Sequence, residues 1–255
     1  MAADGTSFFR RYRFLVSRRW ILLILAVAMA TTLCGFLAQW QLGKNADRSG
    51  ENARIQRAMQ AEPRPLDEVL TVGKPVPVAV EWQPVRAHGR YQDDQVLVRY
   101  RDHHGQQGFH VLTPLRTRDG SVLLINRGWI PGRPTDPPEP PSYPSGEVTV
   151  TGRARVSESG EVDPDSGQVR FIDVPAIASW LDAPTYGGYL ELTGQRPQGN
   201  DAPALLEAPE LDPGPFLSYG IQWYIFGGIA VAGLGILTYD EAHGGKLQRR
   251  WKIKG

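Results

Sequence analysis

Two long apolar runs, one near each end of the chain, bracket a middle in which short apolar stretches alternate with Gly, Pro and charged residues. From Trp20 to Trp40 the string WILLILAVAMATTLCGFLAQW carries no charge. As a helix rising 1.5 Å per residue it covers a hydrocarbon core of roughly 30 Å. The basic RRYRFLVSRR before it and the tryptophans at its two ends are the flanks expected of a membrane span with its N-terminus on the cytoplasmic side. A cleaved signal peptide shares this plan, but the run is longer than a usual signal core and has no small-x-small exit before Gln41, so an anchor is expected. The second run, Ile221 to Tyr239, is followed by KLQRRWKIK, again a cytoplasmic flank. Gly228 and Ala232, four apart, put two small residues on one face, where the first helix or a partner's helix can approach.

The middle changes period twice. Residues 41–62 have few breakers and place Ile55 and Met59 on one stripe, which predicts a helical extension stopped by Pro63 and Pro65. Beyond them, strands are expected at Val76–Val80, Val85–Tyr91, Gln95–Tyr100, Gly108–Leu115, Val122–Asn126, Glu147–Arg155, Gln168–Asp173 and Tyr189–Leu192, with a hairpin turn at Asp119-Gly120. One short helix is expected after Asp173 as N-cap, with Pro175 in its first turn and Ile177 and Leu181 facing the sheet. The seven prolines of 131–146 predict a stiff surface loop, and 196–218 a linker. The whole predicts a membrane protein. A basic tail (1–19), a transmembrane helix (20–40), an extracytoplasmic region (41–218) holding one mainly antiparallel barrel- or sandwich-like β domain (63–195), a second transmembrane helix (219–239) and a basic tail (240–255) follow in order. Both termini are then cytoplasmic, in a multi-pass protein of the cell membrane.

Averages conceal this division: 41% hydrophobic, 22% charged and a mean hydropathy of −0.32 suit a soluble protein. The net charge of +1 likewise comes from basic tails around a middle with 18 basic against 24 acidic residues. An acidic, proline-rich middle argues against nucleic acid as a partner. The single cysteine, Cys34, excludes an intrachain disulfide and any CxxC chemistry, and reads as a small apolar residue within the first span.

Catalytic patterns are missing: no nucleophile elbow, phosphate loop, HExxH pair or calcium loop occurs. His103 and His104 are adjacent and do not converge easily on one ion, and His88 and His110 read as hydrogen-bonded strand residues. No catalytic residue and no metal ligand is assigned, so an enzyme is not expected. The most distinctive string is VLLINRGWIPGRP, from Val122 to Pro134. It delivers Asn126, Arg127, Gly128 and Trp129 to a strand end. There, Arg127 and Trp129 either present a planar cation and an aromatic face to a partner or a propionate-bearing ligand, or Trp129 caps the core while Arg127 pairs with a carboxylate.

With GRY at Gly89–Tyr91, GFHVLTPL at Gly108–Leu115, DGSVLLINRGWIP at Asp119–Pro131, VTVTGRAR at Val148–Arg155 and LSYGIQWYIF at Leu217–Phe226, the chain resembles the Surfeit-locus-one family of cytochrome c oxidase assembly proteins. The resemblance implies a non-enzymatic membrane factor that helps insert or protect haem a in the catalytic subunit. Its partners would be haem–copper cytochrome c oxidase subunits and membrane lipid. It points to Gly89, Tyr91, Asn126, Arg127, Gly128, Trp129, Ser218, Tyr219, Gln222 and Trp223 as partner-contact candidates. Many members carry a His just before the Leu-Ser-Tyr string, where this chain has Phe216, which cannot ligate iron. Haem a is therefore implied only as a transient guest, and a permanent accessory subunit of the oxidase is the alternative reading. Basic N-terminal residues without a mitochondrial presequence favour a bacterial plasma membrane.

Overall fold

The computed structural model describes residues 11–160, 162–199 and 201–244. The outer parts of the two basic tails, 1–10 and 245–255, lie outside the described residues. The chain divides into two compact units, 11–52 with 212–244 and 53–211.

The first unit is built from two helices. Helix α1 (Arg18–Met59) runs without a break through the apolar string and the polar extension expected as 41–62, continuing into the second unit. The later helix (Phe216–Ala242) begins and ends three residues outside the run expected as 219–239. Both are long and apolar enough to cross a membrane. Their apolar side chains point outward: Leu22, Leu25, Met29, Leu33, Ile225, Ile229 and Ile236 are all exposed, the reverse of a helix at the centre of a soluble core. Where the two helices meet, small residues let them approach. A Cβ on Gly220 would come within 3.1 Å of the Leu42 side chain, one on Gly227 would lie 3.5 Å from Cys34 Cβ, and Gln39 donates to the Tyr224 hydroxyl at 2.6 Å. Gly228, expected on a packing face, has open space beside it, so the α1-facing stripe is Gly220–Gly227.

The second unit is one mixed sheet. Its strands are β1 (Arg64–Pro65), β2 (Pro84–Tyr91), β3 (Val96–His103), β4 (Gln106–Thr117), β5 (Val122–Pro131), β6 (Val148–Val156), β7 (Gln168–Val169) and β8 (Thr185–Arg196). A short helix, α2 (Val174–Leu181), precedes β8, and the C-terminal helix of the first unit is α3. The pairings β2–β6, β6–β8, β8–β5, β5–β4 and β4–β2 return to their start, so five strands close a barrel. The sheet is more mixed than expected, because β8 runs parallel to β5, β1 to β2, and β7 to β3. Asp119-Gly120 turns the β4–β5 hairpin as its sequence requires, with Gly120 at φ +88°.

Strand β5 is apolar at successive positions because both its faces are covered. Leu123 and Ile125 join Val85, Leu115, Val150 and Leu190 in one core. Val122 and Leu124 pack on the other side with Val98, Leu112, Ile172 and Ile177, under α2 and β7. The α2 cap forms as expected: Asp173 accepts from the Ala176 N–H at 3.1 Å, and Pro175 lies in the first turn.

Two expected strands are not formed as read. In Val76–Val80, Pro75 and Pro77 remove ladder donors, and Val78–Val80 is a turn of 3₁₀ helix. Gln168–Asp173 pairs only at Gln168 and Val169, because Asp173 is already committed to capping α2.

Closure of the barrel passes through Gly89. It pairs with Val148 of β6 on one side and Thr117 of β4 on the other, and a Cβ there would meet the Arg116 carbonyl oxygen at 2.4 Å. Gly89→Ala should therefore lower stability by about 1–3 kcal/mol. Gly50→Ala, in α1 with open space around it, should leave stability unchanged or raise it by about 1 kcal/mol. Thermal unfolding of the two full-length variants in detergent, compared with the parent chain, checks the pair.

Candidate functional site

The site is organised around Arg127, the largest fully buried side chain among the described residues, at 1% exposure. Strand β5 carries it to the end of the barrel core, and the register between β4 and β5 slips where it sits, between the His110–Trp129 and Leu112–Asn126 pairs. Gly128 occupies that slip with φ +134°, and a Cβ on it would lie 2.3 Å from the Ala204 carbonyl oxygen. The missing side chain lets the segment at Ala204 bridge Trp129 through two main-chain bonds of 2.7 and 2.9 Å.

No ion pair to a carboxylate holds Arg127 among the described residues. Its Nη1 donates to Gln95 Oε1 (3.0 Å) and the Pro141 carbonyl (2.9 Å), and its Nη2 to the Ser142 carbonyl (2.7 Å). Tyr91 and Tyr143 place their rings 5.5 and 5.8 Å from the guanidinium carbon. Burial weakens the guanidinium's hold on its proton, while Tyr91, Tyr143 and Asp201 oppose that shift. Burial also pushes the Tyr91 hydroxyl well above its ordinary range, Arg127 opposing, and that hydroxyl donates to Gln195 Oε1 at 2.7 Å.

Trp129 belongs to a different neighbourhood. Its Nε1 donates to the Arg101 carbonyl at 3.1 Å, its ring lies 5.1 Å from that of His103, and Gly108 runs beneath the indole. Asn126 is buried with it, bonding His110 Nδ1 through Nδ2 at 3.1 Å and accepting from the Gly128 N–H at 3.3 Å. Arg127 and Trp129 thus share no partner and form no common outward face. The expected carboxylate for Arg127 is replaced by main-chain oxygens, because the proline-rich segment is held against the barrel, with Pro141 buried.

Tyr91 lies against Arg127, with Gly128 next in the strand. Gly89 sits apart from them at the β2–β4 seam beside Thr117, and Ser218, Tyr219, Gln222 and Trp223 lie in the first turns of α3 in the other unit. Ser218 Oγ donates to the Pro215 carbonyl at 2.8 Å, Tyr219 is 48% exposed, and Trp223 meets Phe226 edge-on at 5.8 Å. Phe216, at the start of α3, packs beside Gly214. Residue 216 offers no donor atom, so iron cannot be ligated through this position.

A second buried arginine, Arg153, was not singled out in the sequence. It donates to the carbonyls of Leu206 (2.6 Å) and Glu207 (3.3 Å). Its neighbour Arg155 bonds Glu191 and Glu81 and lies 3.8 Å over the Trp82 ring. The available signal was the Arg-Ala-Arg spacing after Gly152, which sets two cations on one side of a strand.

The SURF1 family profile matches residues 28–228. The chain belongs to the SURF1 family. An uncharacterised SURF1-like protein of Mycobacterium bovis is 39% identical over 240 residues, covering 91% of this chain and 88% of that one. Its counterpart in Mycobacterium tuberculosis strain H37Rv matches to the same degree. Surfeit locus protein 1 of Arabidopsis thaliana is 24% identical over 272 residues, covering 81% of this chain and 74% of that one. The SURF1 match takes in the barrel and the opening turns of α3.

His110 supplies a pH test of this geometry. Burial first, then the charges of Arg101, His103 and Arg155, lower its pKa to about 3, so the folded protein keeps it neutral. The unfolded chain protonates a histidine near pH 6.5. Folding therefore excludes a proton between those values, and the stabilisation present above about pH 6.5 is lost as pH falls toward about 3. A His110→Gln variant should show a shallower loss of stability over this window in denaturant titrations. In the parent chain the His110 ring resonances should show no titration near pH 6.5.

Proposed function

We propose that this protein is an assembly or stabilising factor for a haem–copper cytochrome c oxidase, acting in the membrane by docking and without turnover. The observation that carries the reading is the family match over residues 28–228, and membership of the SURF1 family suggests a role in respiratory oxidase assembly. The two outward-apolar helices support insertion as spans, and the basic residues that flank each in the sequence favour both termini in the cytoplasm and the barrel on the opposite side of a bacterial plasma membrane. The service proposed is help with haem a insertion or protection in the catalytic subunit, through contacts other than iron ligation at Phe216. That same phenylalanine favours a second reading, a permanent accessory subunit that works by attachment alone.

Deleting the gene should lower both haem a absorbance and cytochrome c oxidase activity in isolated membranes, and restoring the chain should recover both. Unchanged haem a content and activity would remove the reading. A tagged chain recovered at fixed stoichiometry with mature, active oxidase identifies the permanent subunit, and recovery only with incomplete oxidase identifies the transient factor. Terminal tags should resist protease added from outside the cell.

A further inference from the structure

Beside Arg127 the barrel end opens into a cleft of about 240 Å³ that the oxidase reading does not use. Its lining includes Arg127 and Gln195 together with the apolar residues Leu192, Pro203 and Leu205. Leu205 is 46% exposed, one of few large apolar side chains of the barrel unit left open to solvent, and it gives the cleft a greasy lip. From the arrangement of charge and shape we infer that this cleft binds a small monocarboxylate carried on a short alkyl chain.

Three observations support that chemistry. A guanidinium has five N–H donors, and the protein accepts three bonds from Arg127, all onto uncharged oxygens. Its Nε is buried and has no acceptor among the described residues. Burying a cation without an anion is costly, and a carboxylate is the anion whose planar pair of oxygens matches a guanidinium edge. Asp201, exposed near the cleft, favours the Arg127 cation without forming an ion pair with it, and its charge works against an incoming anion only through solvent, where screening is strong.

The second consideration is polarity. One fixed positive charge beside leucine and proline walls suits a singly charged head with an apolar tail, and penalises a multiply charged phosphate that would have to be desolvated against them. The third is size. Drug-sized ligands fill pockets of about 300–1,000 Å³, so a cleft of about 240 Å³ suits a smaller molecule such as hexanoate.

The test uses the full chain in detergent micelles, with hexanoate as probe and hexanamide as its neutral isostere, read by the Arg127 Nε–H resonance. Hexanoate should shift that resonance saturably, and hexanamide should bind about ten-fold more weakly, as expected when a charge-assisted bond is replaced by a neutral one. Arg127→Gln, followed through the side-chain amide resonances of Gln195 in the same cleft, should abolish binding. Because that change also unpins Pro141 and Ser142, Leu205→Glu serves as the independent variant: the exposed lip gains a negative charge, the unfolding temperature stays that of the parent, and hexanoate affinity falls by at least about ten-fold. Absence of a saturable shift, equal affinity for the amide, or undiminished binding in a folded Leu205→Glu protein would each overturn the assignment. None of these outcomes depends on oxidase assembly, so the inference and the functional proposal fail separately.

Discussion

A guanidinium buried without a carboxylate must find uncharged oxygens as acceptors, most of them on the main chain here, and this requirement shapes the barrel unit. Arg127 gathers the carbonyls of Pro141 and Ser142, and Arg153 gathers those of Leu206 and Glu207. Each arginine thereby fastens an irregular, proline-rich segment to the barrel wall. Proline cannot donate to a ladder but keeps its carbonyl, so such segments suit a partner that only donates. Removing either cation strips a whole loop of its attachment, whereas removing one loop residue leaves a buried charge short of partners.

The barrel supplies the rigidity these contacts need. Strand β5 is covered on both faces, so the backbone that positions Arg127 is held from two sides. Glycine recurs where main chains cross closely: Gly89 under the Arg116 carbonyl, Gly128 under Ala204, and Gly187 against the Lys74 carbonyl, where a Cβ would come within 1.7 Å. Glu191 shows the cost of the same packing. Burial raises its pKa, Arg155 opposes the rise, and the pair is stable only because the two charges face each other beneath the sheet.

Local features of this fold were legible because they depend on neighbours in the chain. The apolar runs, the Asp119-Gly120 turn, the Asp173 cap and the strands from Val85 to Asn126 all follow from composition and period over a few residues. Features set by distant partners were hidden. Nothing local in VLLINRGW indicates that Arg127 and Trp129 diverge, because their separation comes from a register slip stabilised by Ala204, far along the chain. The parallel β5–β8 pairing and the attachment of 131–146 were obscured in the same way. The prolines read as surface loop, as most of the segment is, and only the arginine beneath draws Pro141 into the barrel. At the site, the family strings named Arg127 and Tyr91 but not Gln95, Tyr143 or Gln195, whose relevance is purely spatial.

The strand order carries a consequence for biosynthesis. Strand β8 (Thr185–Arg196) lies between β5 and β6, so the last strand made completes the cylinder. Until it leaves the ribosome, β5 and β6 each present an open edge of unpaired amides and carbonyls, together with half of the apolar interior. The long separation between β5 and its parallel neighbour makes this ordering slow. The nascent chain therefore spends its elongation as an incomplete sheet vulnerable to aggregation, and the barrel closes only after β8 has emerged, when much of the second apolar helix has already been synthesised.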